Sequence, residues 1–87
     1  MRVLVTPTFE RAAKKLHPQQ KTDLDTAVRS VADDPEIGEA KVGDLVGVRV
    51  FKFRTANQPC MLAYRILDEN TLKLLTVGAH ELSLIHI

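Results

Sequence analysis

Five cations, Arg49, Lys52, Arg54, Arg65 and Lys73, are interleaved with apolar residues between Val46 and Ala79, and the stretch runs on into His80 and Glu81. Side chains of this kind do anion chemistry. Arginine and lysine hold negative oxygens, and a histidine can pass a proton near neutral pH, a step worth roughly a hundredfold to ten-thousandfold in rate. No carboxylate pair, phosphate loop, Ser/His/Asp arrangement or metal-ligand spacing accompanies them. Each residue also has a plainer reading. Arg49 and Arg65 can be solvated sheet residues or partners of Asp68, Glu69 or Asp44, and His80 can be surface decoration at a strand end.

The elements that must position these residues are a hairpin and a third strand, Val46 to Thr55, Cys60 to Leu67 and Leu72 to Ala79, joined by Thr55 to Pro59 and by Asp68 to Thr71. If the hairpin closes symmetrically about Asn57, Arg54 pairs with Cys60, Val50 with Tyr64 and Arg49 with Arg65. A symmetric second turn pairs Arg65 with Leu74 and Leu62 with Val77. That register predicts one face of Val48, Val50, Leu62, Ile66, Leu75 and Val77, which receives the helices, with Lys52 and Arg54 sharing its parity at the strand end. The other face then carries Arg49, Phe51, Phe53, Met61, Ala63, Arg65, Leu74, Thr76 and His80. Two arginines directly across a ladder repel, which calls for an anion or a partner's carboxylates between them. Phe51 and Phe53 are core or partner contacts on this reading, in preference to stacking platforms.

Upstream, Val3 and Val5 alternate with polar neighbours in a short strand from Arg2 to Thr6. Thr6-Pro7 then starts a helix: the hydroxyl caps it and Pro7 has no N–H to lose. Phe9, Ala12 or Ala13, and Leu16 form its apolar stripe. His17-Pro18 breaks that helix and begins another, which runs to about Ala32 with Leu24, Ala27 or Val28, and Val31 inward and Gln19, Gln20, Lys21, Asp23, Asp25 and Arg29 outward. Asp33-Asp34-Pro35 ends it, and Glu36 to Gly47 reads as a loop. The fold class is α+β in the order β-α-α-β-β-β, an N-terminal helical hairpin packed on a twisted antiparallel sheet.

Eighty-seven residues, 45% hydrophobic and 26% charged, make one ordinary globular domain. The net charge of +1 gives no global basic signal, so any nucleic-acid binding rests on local clustering of cations. A single cysteine, Cys60, excludes an internal disulfide and fits a reducing cytoplasm; it reads as an apolar strand residue and not as a nucleophile. Nothing in the sequence reads as a signal peptide or is long enough to span a membrane.

The opening VLVTPTFERAAKKL, the strands VFKFRT and MLAYRILDEN, and the ending LKLLTVGAHE together resemble the RelE/ParE toxin superfamily of bacterial toxin-antitoxin modules over residues 3 to 81. The resemblance implies a toxin neutralised by a cognate acidic antitoxin that wraps it. Members that cut messenger RNA in the ribosomal A site do so without metal or cofactor, by promoting attack of the ribose 2′-OH. Carried onto this chain, the resemblance implies catalytic roles for Lys52, Arg54 and His80. Lys52 would orient phosphate or help withdraw the 2′ proton, Arg54 would stabilise the phosphorane charge, and His80 would protonate the leaving 5′ oxygen. RNA binding would fall to Arg49, Lys52, Arg54 and Arg65. An arginine common in the family falls here on Met61, for which Arg65 could substitute. The alternatives are a gyrase-targeting ParE-like toxin without nuclease activity and an inactive toxin that only binds its antitoxin.

Relatives of this subgroup continue after His-Glu with Asn-Phe-Tyr-Arg-Asp-Leu-Lys or similar. Here the chain reads Leu82-Ser83-Leu84-Ile85-His86-Ile87, which CTG TCT CTT ATA CAC ATC encodes and which resembles the mosaic end of transposon adapters. The expectation is therefore a toxin domain over 1 to 81, truncated at its C-terminus, and a non-native tail over 82 to 87. A natural apolar tail is the other reading.

Overall fold

A computed structural model of the chain describes residues 2–40, 47–55 and 59–79. His80, the tail from Leu82 to Ile87, Asp44 and the turn residue Asn57 lie outside the described residues. The elements run β1 (Arg2–Val5), α1 (Pro7–Lys14), α2 (Pro18–Asp33), a short 3-10 turn at Pro35–Ile37, β2 (Glu39–Ala40), β3 (Val48–Arg54), β4 (Pro59–Asp68) and β5 (Thr71–Ala79). The order expected from the sequence holds, with the two-residue β2 added inside what read as a loop.

The strands form one sheet in the order β1-β5-β4-β3-β2. It is mixed: β3, β4 and β5 pair antiparallel, but β1 lies parallel to β5, with Val3 opposite Leu72 and Val5 opposite Leu74. Thr6 explains how the chain leaves that edge. Its amide donates to the Leu74 carbonyl at 3.2 Å, and its hydroxyl both donates to the Leu75 carbonyl at 2.9 Å and accepts from the Phe9 amide at 3.0 Å. One side chain thus caps α1 and fastens the cap to β5 where the ladder is irregular.

Helix α2 starts as the His17-Pro18 step predicts. The His17 backbone amide donates to the Gln20 side-chain oxygen at 3.1 Å, so Gln20 closes the first turn and is buried, where the helical stripe placed it outside. Both helices cover one face of the sheet. Phe9, Leu24, Ala27 and Val31 pack with Leu62, Tyr64, Leu72, Leu74 and Val77, and Ala12, Ala13, Leu16, Phe51, Phe53 and Ile66 close around them. Leu62, Tyr64 and Leu72 are fully buried there. Truncating Leu62 to alanine should cost about 2–5 kcal/mol.

The hairpin register differs from the symmetric one by a single residue. Pairing begins with Arg54 opposite Pro59, so Phe53 faces Cys60, Val50 faces Ala63, Arg49 faces Tyr64 and Val48 faces Arg65. Pro59, with no N–H, is tolerated as the first residue of a strand. Leu62 does pair with Val77, but an irregularity between Ala63 and Tyr64 then moves Arg65 opposite Lys73 in place of Leu74. Because a slip of one residue exchanges faces, Val48, Val50 and Leu75 leave the helix side and join Met61 and Ala63 in a second cluster on the opposite face, while Phe51, Phe53 and Leu74 move to the helix side.

Candidate functional site

The same slip decides where the cations go. Cross-strand partners share a face, so Lys52 opposite Met61, Arg54 opposite Pro59, Arg65 opposite Val48 and Lys73 opposite Arg65 all stand on the face away from the helices. Lys52, Arg54 and Arg65 are exposed and Lys73 is half-buried. Between the two pairs lies the apolar cluster of Val48, Val50, Met61 and Ala63. None of the four cations makes an ion pair or hydrogen bond to a described residue, whereas Glu39, opposite Val50 on this face, is engaged in an interaction of its own.

Lys52 and Arg54 are two residues apart on one strand face, so their stems rise about 7 Å apart. With Phe53 and Pro59 they line an open depression of about 330 Å³. The aromatic pair Phe51 and Phe53 stacks with ring centroids 6.4 Å apart and packs on the helix-side core. These rings are core contacts.

Arg49 stands apart from the other cations. Its pairing with Tyr64 puts it on the helix side, and its Nη1 donates to the carbonyls of Gly38 at 2.7 Å and Glu36 at 3.3 Å. The juxtaposition of Arg49 with Arg65 expected from a symmetric hairpin does not occur; the like-charged neighbours are Arg65 and Lys73. Asp68 does not neutralise Arg65. Its carboxylate accepts from the Asn70 amide at 2.8 Å, and this bond, then Thr71 and the charge of Arg2, hold its pKa below the usual value.

Two residues that fasten the helix side were not picked out from the sequence. Tyr64 is fully buried and its hydroxyl donates to the Pro35 carbonyl while accepting from the Gly38 amide at 3.0 Å. Burial pushes the phenol above its ordinary pKa, against the opposing pull of the Gly38 amide and the Arg49 charge. Gly38 is the second. A Cβ there would come within 2.5 Å of the Tyr64 hydroxyl, a contact only glycine avoids. Cys60 is buried, and burial raises its thiol pKa, which keeps it protonated and unreactive at neutral pH.

Among the described residues no group of three His, Cys, Asp or Glu could hold a metal ion, and no helix is long and apolar enough to cross a membrane. The site is a cationic sheet face.

A two-helix layer on one face of a five-stranded mixed sheet, with cations clustered on the other, defines the class as a small α+β domain. Residues 3–82 match the family model for the ParE-like toxin of type II bacterial toxin-antitoxin systems, and the chain belongs to that family. The fold is similar to the RelBE2 toxin-antitoxin complex from Mycobacterium tuberculosis, with 26% identity, a TM-score of 0.74 and coverage of 91% of this chain and 90% of that one. It is also similar to the toxin of the intact E. coli RelBE complex, at 19% identity and TM-score 0.73 over 90% of this chain and 94% of that one. A double arginine-to-alanine mutant of E. coli RelE in the free state superposes with TM-score 0.75 at 20% identity, covering 94% of this chain and 85% of that one. No curated protein sequence matches at a significant level.

Proposed function

We propose that this toxin is a ribosome-dependent endoribonuclease that arrests translation by cutting messenger RNA in the A site, and that a cognate acidic antitoxin neutralises it in the cytoplasm. The observation that carries this reading is the set of four cations on the helix-free face, none of them paired with a described carboxylate. An isolated cluster of this sign asks for a polyanion. The antitoxin follows from the family and from the RelBE complexes of similar fold.

In the reaction, the ribose 2′-OH gives its proton to a water molecule as its oxygen attacks the adjacent phosphorus, the bond from phosphorus to the 5′ oxygen breaks, and the products are a 2′,3′-cyclic phosphate and a free 5′-OH. Lys52 and Arg54, side by side around one depression, hold the phosphate and stabilise the charge that builds on its non-bridging oxygens, an effect worth roughly a hundredfold to a thousandfold per donor. His80, which follows β5, supplies the proton that the 5′ oxygen takes on leaving.

Induced expression of the complete gene should stop incorporation of labelled methionine while thymidine incorporation continues, and Arg54→Ala with His80→Ala should restore growth. Arrest of thymidine incorporation with double-strand DNA breaks and intact messenger RNA would instead place the chain with gyrase-targeting toxins. The burial of Met61 in the apolar cluster, at the position where the resemblance places an arginine, favours the remaining alternative, an inactive toxin that only binds its antitoxin.

A further inference from the structure

We infer that Arg65 and Lys73 form a second phosphate-binding subsite, separate from the Lys52 and Arg54 pair, which holds the backbone of single-stranded RNA away from the bond that is cut. This rests on the nuclease reading above and extends it to residues outside the reacting centre.

Arg65 on β4 and Lys73 on β5 are direct cross-strand partners. Like charges in that position repel, and a sheet keeps such a pair only at a cost unless something negative lies between the two heads. The obvious intramolecular anion is already spent: the Asp68 carboxylate is taken up by Asn70 and Thr71 in its own turn. The floor beneath the arginine is Gly47, whose φ of +88° keeps a side chain out and whose missing Cβ would stand 3.7 Å from Arg65 Nη1. The guanidinium therefore lies beside bare backbone on an exposed residue, and its remaining N–H groups can meet the paired oxygens of a phosphate. On the far side of Lys73, Leu4 of β1 is 39% exposed and gives a riboses-and-bases strand an apolar margin.

Distance decides the kind of anion. Arg65 stands level with Val48, four residues along β3 from Lys52, so the two cationic pairs are about 13 Å apart at ~3.3 Å per residue. One small anion cannot reach both. A chain of phosphates can.

The test uses a fluorescein-labelled decaribonucleotide with 2′-O-methyl groups throughout, which binds without being cut, and fluorescence anisotropy against the full chain over a salt series. Each phosphate contact on a single strand contributes about 0.7 to the slope of log affinity against log salt. Arg65→Ala with Lys73→Ala should reduce the slope by about 1.4, while Arg65→Lys with Lys73→Arg, which keeps both charges, should retain it. A normal melting temperature shows that the alanine pair is folded. An unchanged slope in the alanine pair overturns the subsite, and if Lys52→Ala with Arg54→Ala lowers the slope in the same assay, the nuclease reading survives that failure. Loss of binding to an acidic peptide with RNA binding intact would likewise overturn it, by assigning the pair to a protein partner. No RNA binding by the unmodified chain at low salt would overturn the subsite and leave the nuclease reading to the cleavage assay on the ribosome.

Discussion

The Gly38 amide donates to the Tyr64 hydroxyl at 3.0 Å, and the same hydroxyl donates to the Pro35 carbonyl, so one phenol buried under α2 closes the segment that leads from α2 to β2. Arg49, next door on β3, adds two bonds to the same backbone through the carbonyls of Glu36 and Gly38. The pair of side chains satisfies the buried Gly38 amide and the carbonyls of Pro35, Glu36 and Gly38 around it. Tyr64→Phe should therefore leave a donor and an acceptor without partners and cost about 1–3 kcal/mol, read from urea unfolding. A loss below ~0.5 kcal/mol would show that water replaces the hydroxyl.

Arg49 and Arg54 lie on the same strand and should behave as opposites. Arg49→Ala removes hydrogen bonds from a charged donor to two carbonyls and should destabilise by about 1.5–3 kcal/mol. Arg54→Ala, exposed at the far end of the strand, should change stability by no more than ~0.5 kcal/mol and abolish toxicity. Urea midpoints and growth after induction measure the two effects separately. Equal destabilisation by both variants would mean that the assigned faces of β3 are wrong.

Thr6 should be the most sensitive polar residue of the N-terminal half, because a single hydroxyl caps α1 and anchors it at Leu75. Thr6→Ala should cost about 1–2 kcal/mol in the melting transition, and Thr6→Ser, which keeps the hydroxyl, should recover most of it.

How much of this was legible in the sequence follows from how local each signal is. Thr6-Pro7 and His17-Pro18 are read over two residues, and both helix starts stand where those pairs put them. Pro59 as the first residue of β4 and the irregular pairing at Leu75 are tertiary outcomes that no periodicity reports, yet they move Val48 and Val50 to the opposite face. The parallel pairing of β1 is likewise set by the far end of the chain. Lys52, Arg54 and Arg65 were visible as cations, but that they share a face with Lys73 and not with Arg49 depends on the register. Gln20 looked solvent-facing because its stripe position hides its role in the first turn of α2. Tyr64 and Gly38 are 26 residues apart, too far for sequence spacing to link them.

Stability should fall at both ends of the pH scale for assignable reasons. Tyr64 has its pKa raised by burial, so its contribution is complete below the unfolded value near 10 and is lost as pH climbs through the higher folded value. Asp68 has its pKa lowered by the bonds from Asn70 and Thr71, so its contribution is present above the unfolded value near 3.8 and is lost as pH drops through the lower folded value. Urea midpoints should therefore fall above pH ~10 in the unmodified chain and change less steeply there in Tyr64→Phe. The acid limb should flatten in Asp68→Asn.

The central claim is that the helix-free face cuts RNA on the ribosome, and the direct measurement is primer extension on a reporter messenger RNA in a purified translation system. The unmodified toxin should produce new 5′ ends within codons held in the A site, and Lys52→Ala with Arg54→Ala should produce none at equal protein concentration. Intact messenger RNA with the unmodified toxin, or identical cleavage by the double variant, would contradict the account.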